Sequence, residues 1–176
     1  VEEAVRDCRY PPEGRRGIGG ERATVWGQCL NEHANEANEN VLVIPLIESI
    51  NAVSNVANMC KVDGIDLFFF GPADFSASAG YRGQWEGPGV AEQILELKDI
   101  INAAGKHCGV MSTSVQNLTE RRDQGFRMLA LGPDSGLLMR SMHQSLQAVD
   151  CDRLPATSLD PTDGKPVSKS DTKIKK

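Results

Sequence analysis

Glu48 and Asp74 are the residues of this sequence best placed to do chemistry. Each follows an apolar run of strand length: Glu48 closes VLVIPLIE and Asp74 stands in FFFGPAD. In parallel α/β folds, ligands gather at the C-terminal ends of the strands. The two runs lie one βα unit apart, so their carboxylates belong at the mouths of neighbouring strands. Two carboxylates held together repel each other unless a cation sits between them or one takes a proton. Oxygen-only donors suit a hard ion such as Mg²⁺ or Mn²⁺, leaving about four octahedral positions for water and substrate. A 2-oxoacid could chelate there through its carboxylate and ketone oxygens. A cation held there would supply Lewis acidity to stabilise an enolate left when the bond beyond the methylene breaks. The competing reading is structural, since a carboxylate that ends a strand often caps the next helix. It applies to Glu48, to Asp74 and to Asp134 in LGPDSG, the equivalent acid after the last strand.

Other chemistries find less support. The five cysteines (Cys8, Cys29, Cys60, Cys108, Cys151) are odd in number and scattered, with no C-x-x-C pair. That pattern predicts reduced thiols in a cytoplasmic protein, not a disulfide framework or a zinc site. His33, His107 and His143 lie far apart in sequence. The net charge of −5 comes with no basic stripe, which argues against nucleic acid as a partner. The longest apolar run, Val41–Ile47, falls well short of the roughly 20 residues of a membrane span. The chain of 176 residues is too short for a complete eight-fold barrel of about 250. It opens without methionine and already reads as a helix in progress, as expected of a fragment.

The elements that would position the two acids follow a regular alternation. Val1–Arg9 reads as a short helix stopped by Tyr10-Pro11-Pro12. A Gly- and Arg-rich loop and a polar, Asn-rich stretch with weak helical signal lead to Val41–Ile47, a continuous apolar run expected as a doubly buried strand. A helix over Ser49–Cys60, a strand over Gly64–Phe70 and a Gly/Ser-rich loop over Ser76–Gly89 come next. Val90–Ala104 has helical periodicity, with Gly105 as its stop. His107–Ser112 is the third strand, Val115–Gln124 a helix, Phe126–Leu131 the fourth strand and Ser135–Val149 the last helix. From Cys151 the chain turns polar and Lys-rich, as expected of a disordered tail. The βαβαβαβα order predicts a parallel sheet with helical crossovers. Pattern alone leaves half a barrel and a small doubly wound sheet both open.

A resemblance narrows the choice. The segments YPPEGRRGIGG (10–20), VLVIPLIES (41–49), VDGIDLFFFGPADFSASAGYRG (62–83), AAGKHCGVMS (103–112) and LALGPDSGLL (129–138), in this order, resemble the pyruvate class II aldolases of the HpcH/HpaI type, within the phosphoenolpyruvate/pyruvate barrel superfamily. The resemblance implies the C-terminal half of a (β/α)8 TIM barrel over residues 1–150, about four βα units, with 151–176 as a tail. It implies that Glu48 and Asp74 are the two protein ligands of a divalent metal (Mg²⁺, Mn²⁺ or Co²⁺). The main chain of Gly71, Pro72, Ala73 and Asp74 would approach the pyruvate carboxylate, and Met111 would line the pyruvate pocket. It also implies cleavage of a 4-hydroxy-2-oxoacid to pyruvate and an aldehyde, and a homo-oligomer, hexameric in relatives, with the final helix exchanged between neighbours.

The sequence also departs from the family pattern. Leu46 stands where relatives often carry glutamine, and Gly20-Glu21-Arg22 where a serine is usual near the substrate. The family's His–Asp acid/base pair and its clamp arginine belong to strands absent from these residues, so the chain alone is expected to turn over little. Arg15 and Arg16 are candidates for a substitute anion clamp, against the plainer reading of a solvated loop. Two other functions compete: an acyl-CoA lyase of the citrate-lyase branch, which the Tyr-Pro-Pro loop disfavours, and a non-catalytic half barrel that binds metal or a partner subunit.

Overall fold

The computed structural model describes residues 1–81, 89–112 and 114–151. Thr113, most of the second half of the Ser76–Gly89 loop, and the polar tail from residue 152 lie outside these. Helix α1 (Glu2–Cys8) and helix α2 (Leu30–Asn40) precede four alternating units: β1 (Leu46–Ile47), α3 (Val56–Met59), β2 (Leu67–Phe70), α4 (Pro72–Ser78), α5 (Val90–Ala103), β3 (His107–Met111), α6 (Val115–Asp123), β4 (Met128–Ala130) and α7 (Asp134–Gln147). The four strands form one parallel sheet in the order β1-β2-β3-β4. This is the expected alternation, with several boundaries changed.

The expected seven-residue first strand contracts to Leu46–Ile47. Pro45 accepts from the Phe69 N–H at 2.9 Å but has no N–H of its own, and β1 has a strand on only one side. The expected helix over Ser49–Cys60 divides into a 3-10 turn (Ile50–Ala52) and the single turn of α3. Between them, Ser54 Oγ and Asn55 Nδ2 both donate to the Asn51 carbonyl, a local bonding that competes with helix propagation. The segment after β2 is helical earlier than expected. Gly71 is the N-cap and Pro72 opens α4, where a missing N–H costs nothing. The expected fourth strand, Phe126–Leu131, pairs only over Met128–Ala130 at the other edge of the sheet.

The sheet is dressed on one face. Ile47, Phe68, Phe70, Cys108 and Val110 share that face and are buried, as are Val90, Ile94, Leu97 and Ile101 on the inward stripe of α5, which packs on β3. Phe70 meets Phe126 edge-on, ring centroids 6.2 Å apart. Full burial of each large apolar side chain contributes about 1.5–3 kcal/mol, so this layer dominates the stability. The opposite face carries the register row Leu46, Phe69, Gly109 and Met128, in which Leu46 is 58% and Met128 39% exposed.

Candidate functional site

Strand parity decides where Glu48 points. Ile47 pairs with Phe70 and Phe70 with Val110, all buried under the helices. Residues one step on alternate to the open face, so Glu48, Gly71 and Met111 continue a single row across the C-terminal mouths of β1, β2 and β3. The Gly71 N–H still donates to the Ile47 carbonyl at 3.1 Å, which keeps that row in register. A Cβ on Gly71 would stand 3.3 Å from Cβ of Glu48 and 3.5 Å from its Oε2. Gly71 has φ −100° and ψ 84°, so the glycine is needed here for room beside Glu48, not for a left-handed backbone.

Asp74 lies three residues further on, in the first turn of α4. Among the described residues neither Glu48 nor Asp74 makes a hydrogen bond or ion pair, and both are exposed. Neither acid takes the capping role. Ser49 caps the 3-10 turn, accepting from Asn51 N at 3.3 Å, and α4 has no side-chain cap. Asp134 does not cap α7 either: Pro133 is the N-cap, and Asp134, the first helical residue, accepts only from the adjacent Ser135 N–H at 2.7 Å. Asp134 follows β4, at the opposite edge of the sheet from β1, and His107 starts β3 at the opposite end of the strands.

The loop of Tyr10 is tied inward. Tyr10 is buried, and Asn38 of α2 accepts from its N–H at 2.7 Å and donates to its carbonyl at 3.0 Å. His33 meets the Tyr10 ring edge-on, and the Arg16 guanidinium lies 4.7 Å over the ring's centroid. Arg15 pairs with Asp7, which holds the Asp7 carboxyl below its ordinary range. Both arginines thus have partners close by in sequence, Arg15 on α1 and Arg16 on Tyr10, which favours the plain reading over an anion clamp.

Among the described residues no three His, Cys, Asp or Glu side chains are grouped to hold a metal. What the described residues offer is two carboxylates without side-chain partners, one after β1 and one in the first turn after β2, oxygen donors of the kind a hard cation takes.

The HpcH/HpaI aldolase/citrate lyase family is matched over residues 1–141. The chain belongs to that family. It is 42% identical over 137 residues to a 4-hydroxy-2-oxovalerate aldolase from Rhodococcus jostii, covering 77% of this chain and 52% of that one. It is 36% identical over 143 residues to a hydroxypyruvate/pyruvate aldolase from Roseobacter denitrificans, covering 80% and 56%. A crystal structure of an HpcH/HpaI aldolase/citrate lyase family protein from Burkholderia cenocepacia superposes with a TM-score of 0.75 at 31% identity, covering 84% of this chain and 60% of the other. The chain spans about half the length of the curated relatives it matches. With a four-stranded parallel sheet matched to barrel aldolases over part of their length, the fold is the half barrel expected, and the doubly wound alternative falls away. Among the described residues no helix is long and apolar enough to cross a membrane, and all five cysteines are free.

Proposed function

We propose that the chain forms the metal-binding part of an aldolase that cleaves a 4-hydroxy-2-oxoacid to pyruvate and an aldehyde, or joins the two in reverse. The observation that carries this reading is the unpaired Glu48–Asp74 rim in a chain related to enzymes named for that cleavage. Glu48 and Asp74 would hold a divalent cation, with Mg²⁺, Mn²⁺ and Co²⁺ all compatible with two carboxylates. When bound, such an ion supplies Lewis acidity at the 2-oxo group.

The chain's own contribution is binding and orientation. The N–H of Gly71 is used in the sheet and Pro72 has none. The first-turn N–H groups of Ala73 and Asp74 are therefore the donors left for a substrate carboxylate. Met111, half-buried in the same row as Glu48 and Gly71, would supply an apolar wall beside the methyl of pyruvate. His107 starts β3 at the opposite end of the strands and His33 packs against Tyr10; proton transfer and the clamping of charge would come from outside these residues. Turnover by the 176 residues alone would accordingly be slight. Helix α7 leaves Leu137, Leu138, Met139 and Met142 exposed, which supports packing of this helix on another subunit.

Calorimetric titration with Mn²⁺ tests the reading. Asp74→Ala and Glu48→Gln should each weaken binding at least about tenfold, the scale expected when a direct or supporting ligand is lost. Equal affinities in native chain and variants would refute it. Pyruvate release from 4-hydroxy-2-oxoacids, assayed with Mn²⁺ on the longest product of the gene, then tests the chemistry.

A further inference from the structure

One hydroxyl joins the two acid-bearing segments. Ser78 Oγ donates to the carbonyl of Phe75 at 2.8 Å and accepts from the backbone N–H of Ile50 at 2.9 Å, across 28 residues of sequence. Ile50 lies two residues beyond Glu48, and Phe75 directly follows Asp74. Among the described residues no other side-chain hydrogen bond links the Glu48 loop to α4. The remaining tether is the main-chain bond from Gly71 to Ile47 at the opposite end of that helix. A hydroxyl suits the position because it donates and accepts at once.

Resting on the metal reading above, we propose that Ser78 is a positioning residue for the carboxylate pair. With α4 fastened to β1 at Gly71 and to the loop after Glu48 at Ser78, the span from Glu48 to Asp74 is set before an ion arrives. A metal site tolerates ligand distances only within about 0.2 Å. Loosening one fastening therefore weakens binding even though neither donor is changed. Folding has less at stake. Ser78 and Ile50 are both exposed, so water replaces the lost partner.

The test is Mn²⁺ affinity read from the free-ion electron paramagnetic resonance signal, with thermal unfolding followed in parallel. Ser78→Ala should weaken Mn²⁺ binding about tenfold, the lower end of what supporting residues of metal sites contribute, with little change in melting. Ser78→Thr keeps the hydroxyl and should bind like the native chain. Ile50→Pro removes the same bond from the donor side. Ser49 is already extended (φ −138°, ψ 141°), as a residue before proline must be, and Ile50 opens a helical turn where proline is accepted. It should reproduce the Ser78→Ala loss, and it decides the matter if Ser78→Ala fails to fold. Native affinity in Ser78→Ala or Ile50→Pro, with binding lost in Asp74→Ala, overturns the role of Ser78 and leaves the metal reading standing. Equal weakening in Ser78→Ala and Ser78→Thr also overturns it. Unchanged affinity in all variants, Asp74→Ala included, sinks the metal reading and this proposal with it.

Discussion

Replacing Gly109 by alanine should destabilise the chain by about 1–2 kcal/mol. Gly109 lies in the middle of β3 on the open face of the sheet. A Cβ there would stand 2.7 Å from Cδ2 of Phe69, 2.9 Å from Cβ of Met128 and 3.1 Å from the Met128 carbonyl oxygen. Carbon atoms sit best at about 3.5–4.0 Å, so the first two contacts are about 0.6–1.3 Å too short. The Phe69 ring, half-buried, can rotate away. The Met128 atoms belong to the main chain of β4 or hang directly from it, and move only if β4 parts from β3, straining bonds such as Ser112 N to Ala130 O at 2.7 Å. Overpacking of this kind costs about 1–3 kcal/mol. Two contacts under 3.0 Å call for the upper part of that range, and the added methyl returns at most about 0.8 kcal/mol through burial, which leaves the figure above. Urea unfolding followed by circular dichroism measures it, with an unchanged m-value as the sign that stability alone has moved. In a Phe69→Leu background the ring clash is gone and the backbone clash persists, so the penalty should shrink by at least about 0.5 kcal/mol without vanishing. A Gly109→Ala chain as stable as the native one, or a penalty identical in both backgrounds, would refute the packing argument.

Asn38→Ala should lower stability by about 1–3 kcal/mol in the same assay, because it strands the N–H of the buried Tyr10; a change within experimental error would show that water reaches this loop. In alkylation followed by mass spectrometry, the exposed Cys29 and Cys151 should react in the native state, and the buried Cys60 and Cys108 only on unfolding. Burial raises both inner thiols, that of Cys108 to about 12 from an ordinary 9.0. Above the ordinary value the unfolded chain ionises Cys108 while the folded chain does not, so stability should fall as pH rises through that window. Cys108→Ala should flatten the decline in urea midpoint with pH, and an equally steep decline in that variant would assign the loss to other groups.

Legibility in the sequence followed how many partners a segment has. The third strand and the helix Val90–Ala103 came out within a residue of expectation because each sits between neighbours that reward its pattern. Val41–Ile47 looked like a buried central strand, yet Pro45 and a one-sided position leave only Leu46 and Ile47 paired. The helix from Ser49 failed because its Ser and Asn side chains bond the local main chain. The start of α4 was readable, since Gly followed by Pro marks an N-cap and first turn, but the Gly/Ser-rich composition from Ser76 on hid the end of this helix at Ser78. Glu48 and Asp74 could be picked out by strand-end position, and parity puts Glu48 in the row of Gly71 and Met111 on the open face. Ser78 could not, since a serine in a small-residue run gives no sign of a bond reaching 28 residues back.

The wet side of the sheet sets the electrical surroundings of the rim. Two opposite charges about 4 Å apart attract by roughly 1 kcal/mol in bulk water and by roughly 4 at the effective dielectric of a protein surface. With Leu46 and Met128 still in contact with solvent, a cation at Glu48 and Asp74 would feel mostly the weaker of these. Its hold should therefore soften with added salt, and tighten several-fold in attraction once apolar surface is laid against that side, with no change in either ligand.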